Sequence, residues 1–300
     1  MQIPTAHISV DLDPVDTHLA GYGLTCPPCD RIYRTSVPRI LELLDRVGVR
    51  ATIFVIARDA EGEAALWREA VKQGHEIASH SLTHPIPFAS LPGPEIEREL
   101  GESRRRLEDA IGQAVVGFRA PGWDVDHATL DAIARAGYRY DASILASPAL
   151  LPGAALRFVL SAGRMREISL TRTLRMAFSP RLPHMVGTDG NLWEFPVAVS
   201  PLLRVPFTHT LWYLAPGAFC RSTYRAIRRS GAPLTYQFHA ADLLDLEGDD
   251  IDRRFARHPG MRLPLSRKTE LLESFLGQIA REYDVRTYAE AVGATSQVHS

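Results

Sequence analysis

The 300-residue chain has little cysteine, three residues in all. Cys26 and Cys29 form C-P-P-C, and Cys220 stands apart. No second C-x-x-C exists, which leaves a four-ligand structural zinc module without its ligands. A thioredoxin-type pair belongs at a strand-to-helix turn, whereas this one falls in a loop rich in Gly and Pro. Reduced thiols are the plain reading, with a redox or metal clip as the alternative. Also missing is any apolar run of the roughly 18–20 residues that span a bilayer. The opening MQIPTAHISVDLDP has no basic stretch followed by an apolar one, so a secretory signal is not expected and a cytoplasmic location is. Charge of one sign is lacking too. Lys and Arg number 34 against 35 Asp and Glu, which gives no global case for nucleic acid.

What is present alternates strand and helix. His7–Leu12 reads as a short strand, and Ser36-Val-Pro38 as a cap opening a helix that ends at Gly48. Residues 51–57, ATIFVIA, form a buried strand, 61–73 a helix stopped by Gly74, and EIAS a strand. A helix over 95–111, a strand at VVGFR, a helix over 126–136 and the strands YRYDAS, LWEFPVA and LTYQFHA follow. Helices near 218–229 and 268–282 and a last strand, DVRTY, complete the series. Repeated strand–helix units imply an α/β fold with a largely parallel sheet. Their number favours a closed or nearly closed barrel. The chain reads as one domain over 1–300, broken by a long insertion at about 145–190.

In such folds the chemistry collects at the C-terminal ends of the strands. Five segments bring ionisable groups there: Asp11 and Asp13, His80 and His84, Arg119, Asp141, and His239. The pair His80 and His84, in HSLTH, can converge on one ion, with Asp13 as a third ligand. Two loop histidines making ordinary hydrogen bonds are the alternative. HEIASH is not the metalloprotease H-E-x-x-H, because its second His comes one residue late and the segment reads as strand. His75 is expected to be structural. Asp11 and Asp13 share a strand face. One can hold a cation while the other stays free as a base. Arg119 can orient that base or make a surface ion pair. In FRAPGW, the Gly122 N–H is positioned for a developing oxyanion, and Trp123 for a substrate groove or the core. His239 is placed as a general acid toward a leaving amine, with Asp141 or Asp242 setting its tautomer.

These residues resemble the polysaccharide deacetylase (NodB-homology, carbohydrate esterase 4) superfamily. SVDLD, HSLTH, RAPGW, YDAS and QFH stand in its motif order, through most of 7–144 and again through about 233–292. The resemblance implies a distorted (β/α)7-type barrel and one divalent ion, Zn2+ foremost, with Co2+, Mn2+, Ni2+ or Fe2+ as alternatives. It makes Asp11 the base, Asp13, His80 and His84 the ligands, Arg119 the support of the base, Gly122 the oxyanion donor and His239 the acid. The implied reaction is hydrolysis of an N-acyl group, usually acetyl, from an amino sugar. Two features depart from the usual pattern. Leu12 separates the two aspartates, a D-x-D form similar to cytoplasmic branches that include allantoinase-like and imidase-like enzymes and the deformylase of undecaprenyl-phosphate-linked aminoarabinose. The R-x-P motif continues with Gly122-Trp123 instead of an aromatic residue and Gly.

Residues 154–178 carry Arg157, Arg164, Arg166, Arg172 and Arg175 against Glu167, among apolar residues. Such a segment can lie on an anionic membrane or pack as a lid. PFTHTLWYLAPGAF adds an apolar patch able to meet a lipid tail. The expected substrate is therefore an N-acetyl or N-formyl amino sugar on a lipid-linked or glycolipid carrier, met at the cytoplasmic face of the membrane. A hydrolase of small cyclic amides and an inactive carbohydrate-binding protein are the rivals. The acidic run EGDDID reads as a solvated loop.

Overall fold

Alternation along the strands decides both faces of the sheet. In β1 (Thr5–Asp11), Ile8 and Val10 join the large apolar core, while His7, Ser9 and Asp11 face the other way. In β8 (Leu234–His239), Leu234, Tyr236 and Phe238 pack outward and Thr235, Gln237 and His239 alternate with them. Because side chains in a strand have a period of two, one face of each strand packs under the helices. The other face lines a polar and aromatic barrel interior. Phe54, Tyr140, Phe195 and Tyr288 form the interior cluster.

This computed structural model describes residues 3–20, 22–27, 31–148, 174 and 176–296. Among them lies one nine-stranded sheet. Between β1 and β8 come β2 (Thr52–Val55), β3 (Glu76–Ser79), β4 (Gly117–Phe118), β5 (Tyr140–Asp141), β6 (His184–Val186) and β7 (Leu192–Glu194). The order is β6-β7-β5-β4-β3-β2-β1-β8, and β9 (Asp284–Val285) also pairs with β1. All pairings are parallel except β6 with β7. The path is open, but residues 195–198 nearly close it. Val197 N donates to Ile144 O at 2.9 Å and Ala198 N to Thr235 O at 3.2 Å, joining the β5 side to β8. The result is the expected distorted (β/α) barrel.

Beyond the short α1 (Val15–Ala20), helices α2 (Val37–Val47), α3 (Ala64–Lys72), α4 (Gly93–Ile111) and α5 (His127–Arg135) cover the outer face, with Gly217–Arg229 and Leu265–Glu282. Gly48, Gly74, Gly112 and Gly137 close the first four with positive φ. Gly117 is required for a different reason. A Cβ there would stand 1.9 Å from the Tyr140 ring, whose hydroxyl crosses to donate to Glu76 at 2.7 Å. No helix among the described residues is long and apolar enough to cross a membrane.

Several expectations change. Ser36 is not an N-cap: a π-helical turn, Ile32–Ser36, precedes α2, and the Ser36 hydroxyl donates to Ala240 O instead. Residues 15–20 form a helix, and the strand expected in DVRTY is limited to Asp284–Val285, with a helix starting at Tyr288. The antiparallel β6 falls inside the expected insertion, most of which lies outside the described residues, together with Cys29 and all five arginines named above. The acidic run is not simply solvated. Asp249 is buried and takes both Arg39 Nη atoms, at 2.6 and 2.8 Å. In PFTHTLWYLAPGAF, Phe207 and His209 are fully buried, and the exposed large apolar side chains are the later Leu214 and Phe219.

Candidate metal centre and active site

The parallel strands deliver their C-terminal ends to one rim. Register places Asp11 beside His239 and Ser9 beside Gln237. Side chains of one parity then meet inside the barrel. Arg119, just after β4, reaches across to Asp11 with Nη1–Oδ1 at 2.5 Å and to Ser9 Oγ at 3.1 Å. Its Nε donates to Ala142 O at 2.9 Å, and its guanidinium lies 4.0 Å from the centre of the Phe54 ring. Gln237 Nε2 donates to the second Asp11 oxygen at 2.5 Å. Arg119 is 1% exposed, so it is no surface ion pair. Burial, the largest single influence, works against its charge, but Asp11 together with the Tyr288 and Tyr140 hydroxyls raises the pKa on balance.

Asp13, His80 and His84 have ligand atoms within 4.8 Å of one another. Asp13 Oδ1 stands 3.1 Å from His80 Nε2 and 3.2 Å from His84 Nε2. The local chain explains the convergence. His80 N bonds Val55 O, and the His80 ring presents Nδ1 to Arg119 O at 2.8 Å. A carbonyl accepts only, so Nδ1 carries a proton and Nε2 is the nitrogen turned toward Asp13, free to ligate when it is unprotonated. Ser81 and His84 both have positive φ, 67° and 60°. Glu99 of α4 holds that loop, accepting from Leu82 N and Thr83 N at 2.9 Å each and from Thr83 Oγ1 at 2.7 Å. His84 is thereby swung back toward His80, with ring centroids 4.8 Å apart.

Asp13 Oδ1 and both His84 ring nitrogens are buried without a hydrogen-bond partner among the described residues. A carboxylate oxygen facing two imidazole lone pairs is unfavourable unless a cation or protons lie between them. Two His and one carboxylate are a fitting donor set for a divalent transition ion that keeps open positions. Burial opposes a charged Asp13, but the His84 and His80 imidazoles outweigh it and hold its pKa well below the usual range.

Other expected residues are placed differently. The Asp242 carboxylate accepts the backbone N–H of His239, at 2.9 Å, and not its ring. Asp141 is fully buried and takes Ser143 N at 3.1 Å and Oγ at 2.6 Å. Ser143 Oγ in turn accepts Ala120 N at 2.8 Å. Asp141 therefore braces the strand end behind Arg119 and is not open to substrate. It pairs with Glu194, whose pKa burial and the Asp141 charge raise well above normal. Gly122 is exposed, at φ 63°, in a turn beside half-buried Trp123. His75 Nδ1 accepts Ala51 N at 3.2 Å, the structural role expected of it.

Sequence reasoning missed Gln237, Ser9, Glu99 and a histidine cluster. Gln237 and Ser9 stand two residues before His239 and Asp11, a parity signal that was readable. His18 Nε2 lies 4.0 Å from Asp13 Oδ2, and its ring lies 4.5 Å from that of His258 and 5.8 Å from that of His239. Burial pushes His18 down to about 4 and His258 to about 2. Burial thus favours the neutral form of both imidazoles beside the Asp13 set.

The polysaccharide deacetylase family model matches residues 28–140. A peptidoglycan deacetylase of Helicobacter pylori is 30% identical over 142 residues, 45% of this chain and 48% of that protein. The match thus spans about half the length of that curated relative. Among solved structures, a polysaccharide-deacetylase-type protein of Mycobacterium smegmatis superposes with TM-score 0.62 at 18% identity, covering 99% of this chain and 92% of its own. PuuE allantoinase superposes with TM-score 0.60 at 14% identity, covering 96% and 88%. At such identities the two structures speak for the barrel alone. Over residues 28–140 the chain is thus similar to polysaccharide deacetylases.

Proposed function

We propose that the protein is a metal-dependent hydrolase that removes an acetyl or formyl group from the nitrogen of an amino sugar, on a lipid-linked or glycolipid carrier at the cytoplasmic face of the membrane. The carrying observation is the set Asp13, His80 and His84, whose ligand atoms converge within 4.8 Å. When bound there, a divalent ion supplies Lewis-acid polarisation of the acyl oxygen and lowers the pKa of water. Zn2+ suits the donors best, and Co2+, Mn2+, Ni2+ and Fe2+ also fit.

The protein's own groups divide the proton work. Asp11 takes a proton from the attacking water. Arg119 and Gln237, each 2.5 Å from one of its oxygens, fix its orientation. The Gly122 N–H faces the acyl oxygen as charge develops. His239, beside Asp11 in register, gives a proton to the departing nitrogen. The C–N bond breaks, a C–O bond forms, and the products are a carboxylate and an amine. Trp123 lines the sugar groove, and Asp141 braces Arg119 from behind through Ser143. The support for an amino-sugar substrate is the peptidoglycan deacetylase relative. The support for a lipid carrier is the arginine-rich, apolar sequence at 154–178.

The test is elemental analysis of the purified protein beside His80→Ala, with amine release from N-acetyl and N-formyl amino sugars. About one ion per chain is expected, lost with the mutation along with activity. A metal-free wild type that stays inert after Zn2+, Co2+ and Mn2+ are added removes the hydrolase reading in favour of a binding protein. Metal without sugar deacylation redirects the assignment to cyclic amides.

A further inference from the structure

After β7 the chain runs along the rim and turns back in a tight hairpin. Val199 and Pro206 form an antiparallel bridge, Ser200 N donates to Val205 O at 2.9 Å, and Arg204 N donates to Ser200 O at 3.1 Å. Its base is anchored: Phe207 is fully buried and Val199 nearly so. Its tip is not. Leu202 is 93% exposed and Leu203 72%. Arg204, directly after them, fastens a second segment alongside. Its Nη1 donates to Ala177 O at 3.3 Å and Ser179 O at 2.9 Å, and its carbonyl accepts Ser147 Oγ at 2.6 Å. Phe178, held between those two carbonyls, is 64% exposed, and Leu174 is also exposed. Ser147 follows the C-terminal end of β5, so the assembly stands at the same end of the barrel as Asp13, His80 and His84. Adjacent apolar side chains offered to water on a rigid support call for a partner.

The charge of the neighbouring sequence selects it. The run 154–178, which ends at Phe178, carries five arginines against Glu167. An apolar tip tied to residues 177–179, which continue in sequence from that basic run, complements an anionic bilayer, whose acyl boundary accepts leucine and whose phosphates attract basic chain. We propose that the Leu202–Leu203 hairpin, with Phe178, inserts into an anionic membrane and sets the active-site rim against the lipid headgroups. This deepens the reading above and rests on its lipid-carrier part.

The experiment is co-sedimentation with phosphatidylglycerol–phosphatidylethanolamine vesicles, against phosphatidylcholine vesicles, for wild type and the double variant Leu202→Ser/Leu203→Ser. Deacylation of a water-soluble N-acyl amino sugar is followed in the same preparations. Each removed leucine is expected to weaken partitioning about tenfold, added salt to weaken it further, and soluble-substrate turnover to stay at the wild-type level. Equal sedimentation of wild type and variant, or none by either, overturns the proposal. So does a wild type that is dimeric by light scattering, becomes monomeric in the variant and ignores vesicles, because the tip then meets a second copy. Vesicle binding lost in the variant, with neither protein hydrolysing any soluble sugar, leaves the membrane contact standing and counts against the catalytic reading instead.

Discussion

Two regions of the barrel gather carboxylates away from water and treat them differently. On the β5–β7 side, Asp141 and Glu194 are coupled, Ser143 serves Asp141, and Ile144 N donates to Glu194 Oε1 at 2.9 Å, so that Glu194 Oε2 is the one atom of the pair left without a partner among the described residues. On the β1–β3–β8 side, Asp13 Oδ1, both His84 nitrogens, His18 Nε2 and His239 Nδ1 are buried without hydrogen-bond partners among the described residues. Burying a polar atom without a partner costs about 1–3 kcal/mol. Several such atoms facing one point are poor for folding and well suited to holding an ion and a substrate. Burial alone thus does not mark a site; unmet hydrogen-bonding capacity at a shared point does.

The sharpest way to break this contrast is Asp11→Asn. The amide keeps the shape of the side chain but cannot take a proton. Turnover should fall about 10²–10⁴-fold while metal content by elemental analysis stays at the wild-type level. Coincident loss of metal would show Asp11 to be a ligand rather than a base. A smaller effect is expected at Glu99→Ala, which touches no proposed ligand and only releases the loop that carries His84. Metal affinity, read by chelator competition, should drop about 10–100-fold; an unchanged affinity would mean that the loop holds its shape without Glu99.

The smallest catalytic effect belongs to Glu194→Gln, on the β5–β7 side, where turnover should stay near wild type. Its signature is in stability. The folded pKa of Glu194 is raised by burial and by Asp141, so the folded protein binds a proton that the unfolded chain releases. That contribution is complete below the unfolded carboxylate pKa of about 4.3 and is lost as pH rises through the folded value. Gln cannot titrate, so urea midpoints of the variant should decline less with rising pH than those of wild type. Parallel declines would place the proton elsewhere.

Much of the scaffold was readable because its signals are local. The β-branched runs, the glycines after helices and the parity of HISVD and YQFH need only a few neighbouring residues. The ends of those strands named Asp11, Asp13, His80, His84, Arg119 and His239. The misread parts involve distant partners. Asp141 was expected near His239, but four strands lie between β5 and β8 along the sheet path, and Ser143 and Glu194 occupy it. Ser36 looked like a cap because Ser before Pro usually is one, yet Ala240, 204 residues away, claims its hydroxyl.

The sequence by itself determined which side chains stand on which face and at which strand end, since strand and helix periods are properties of the local backbone. Only the tertiary structure decided which of them meet. Arg119 reaches Asp11 across 108 residues because β4 and β1 curve around one interior. Glu99 shapes the His84 loop because α4 packs against β3, and Leu202 is left in water because Arg204 ties its hairpin to residues 177–179. Those choices depend on which elements become neighbours, and that follows from closing the sheet around its polar interior.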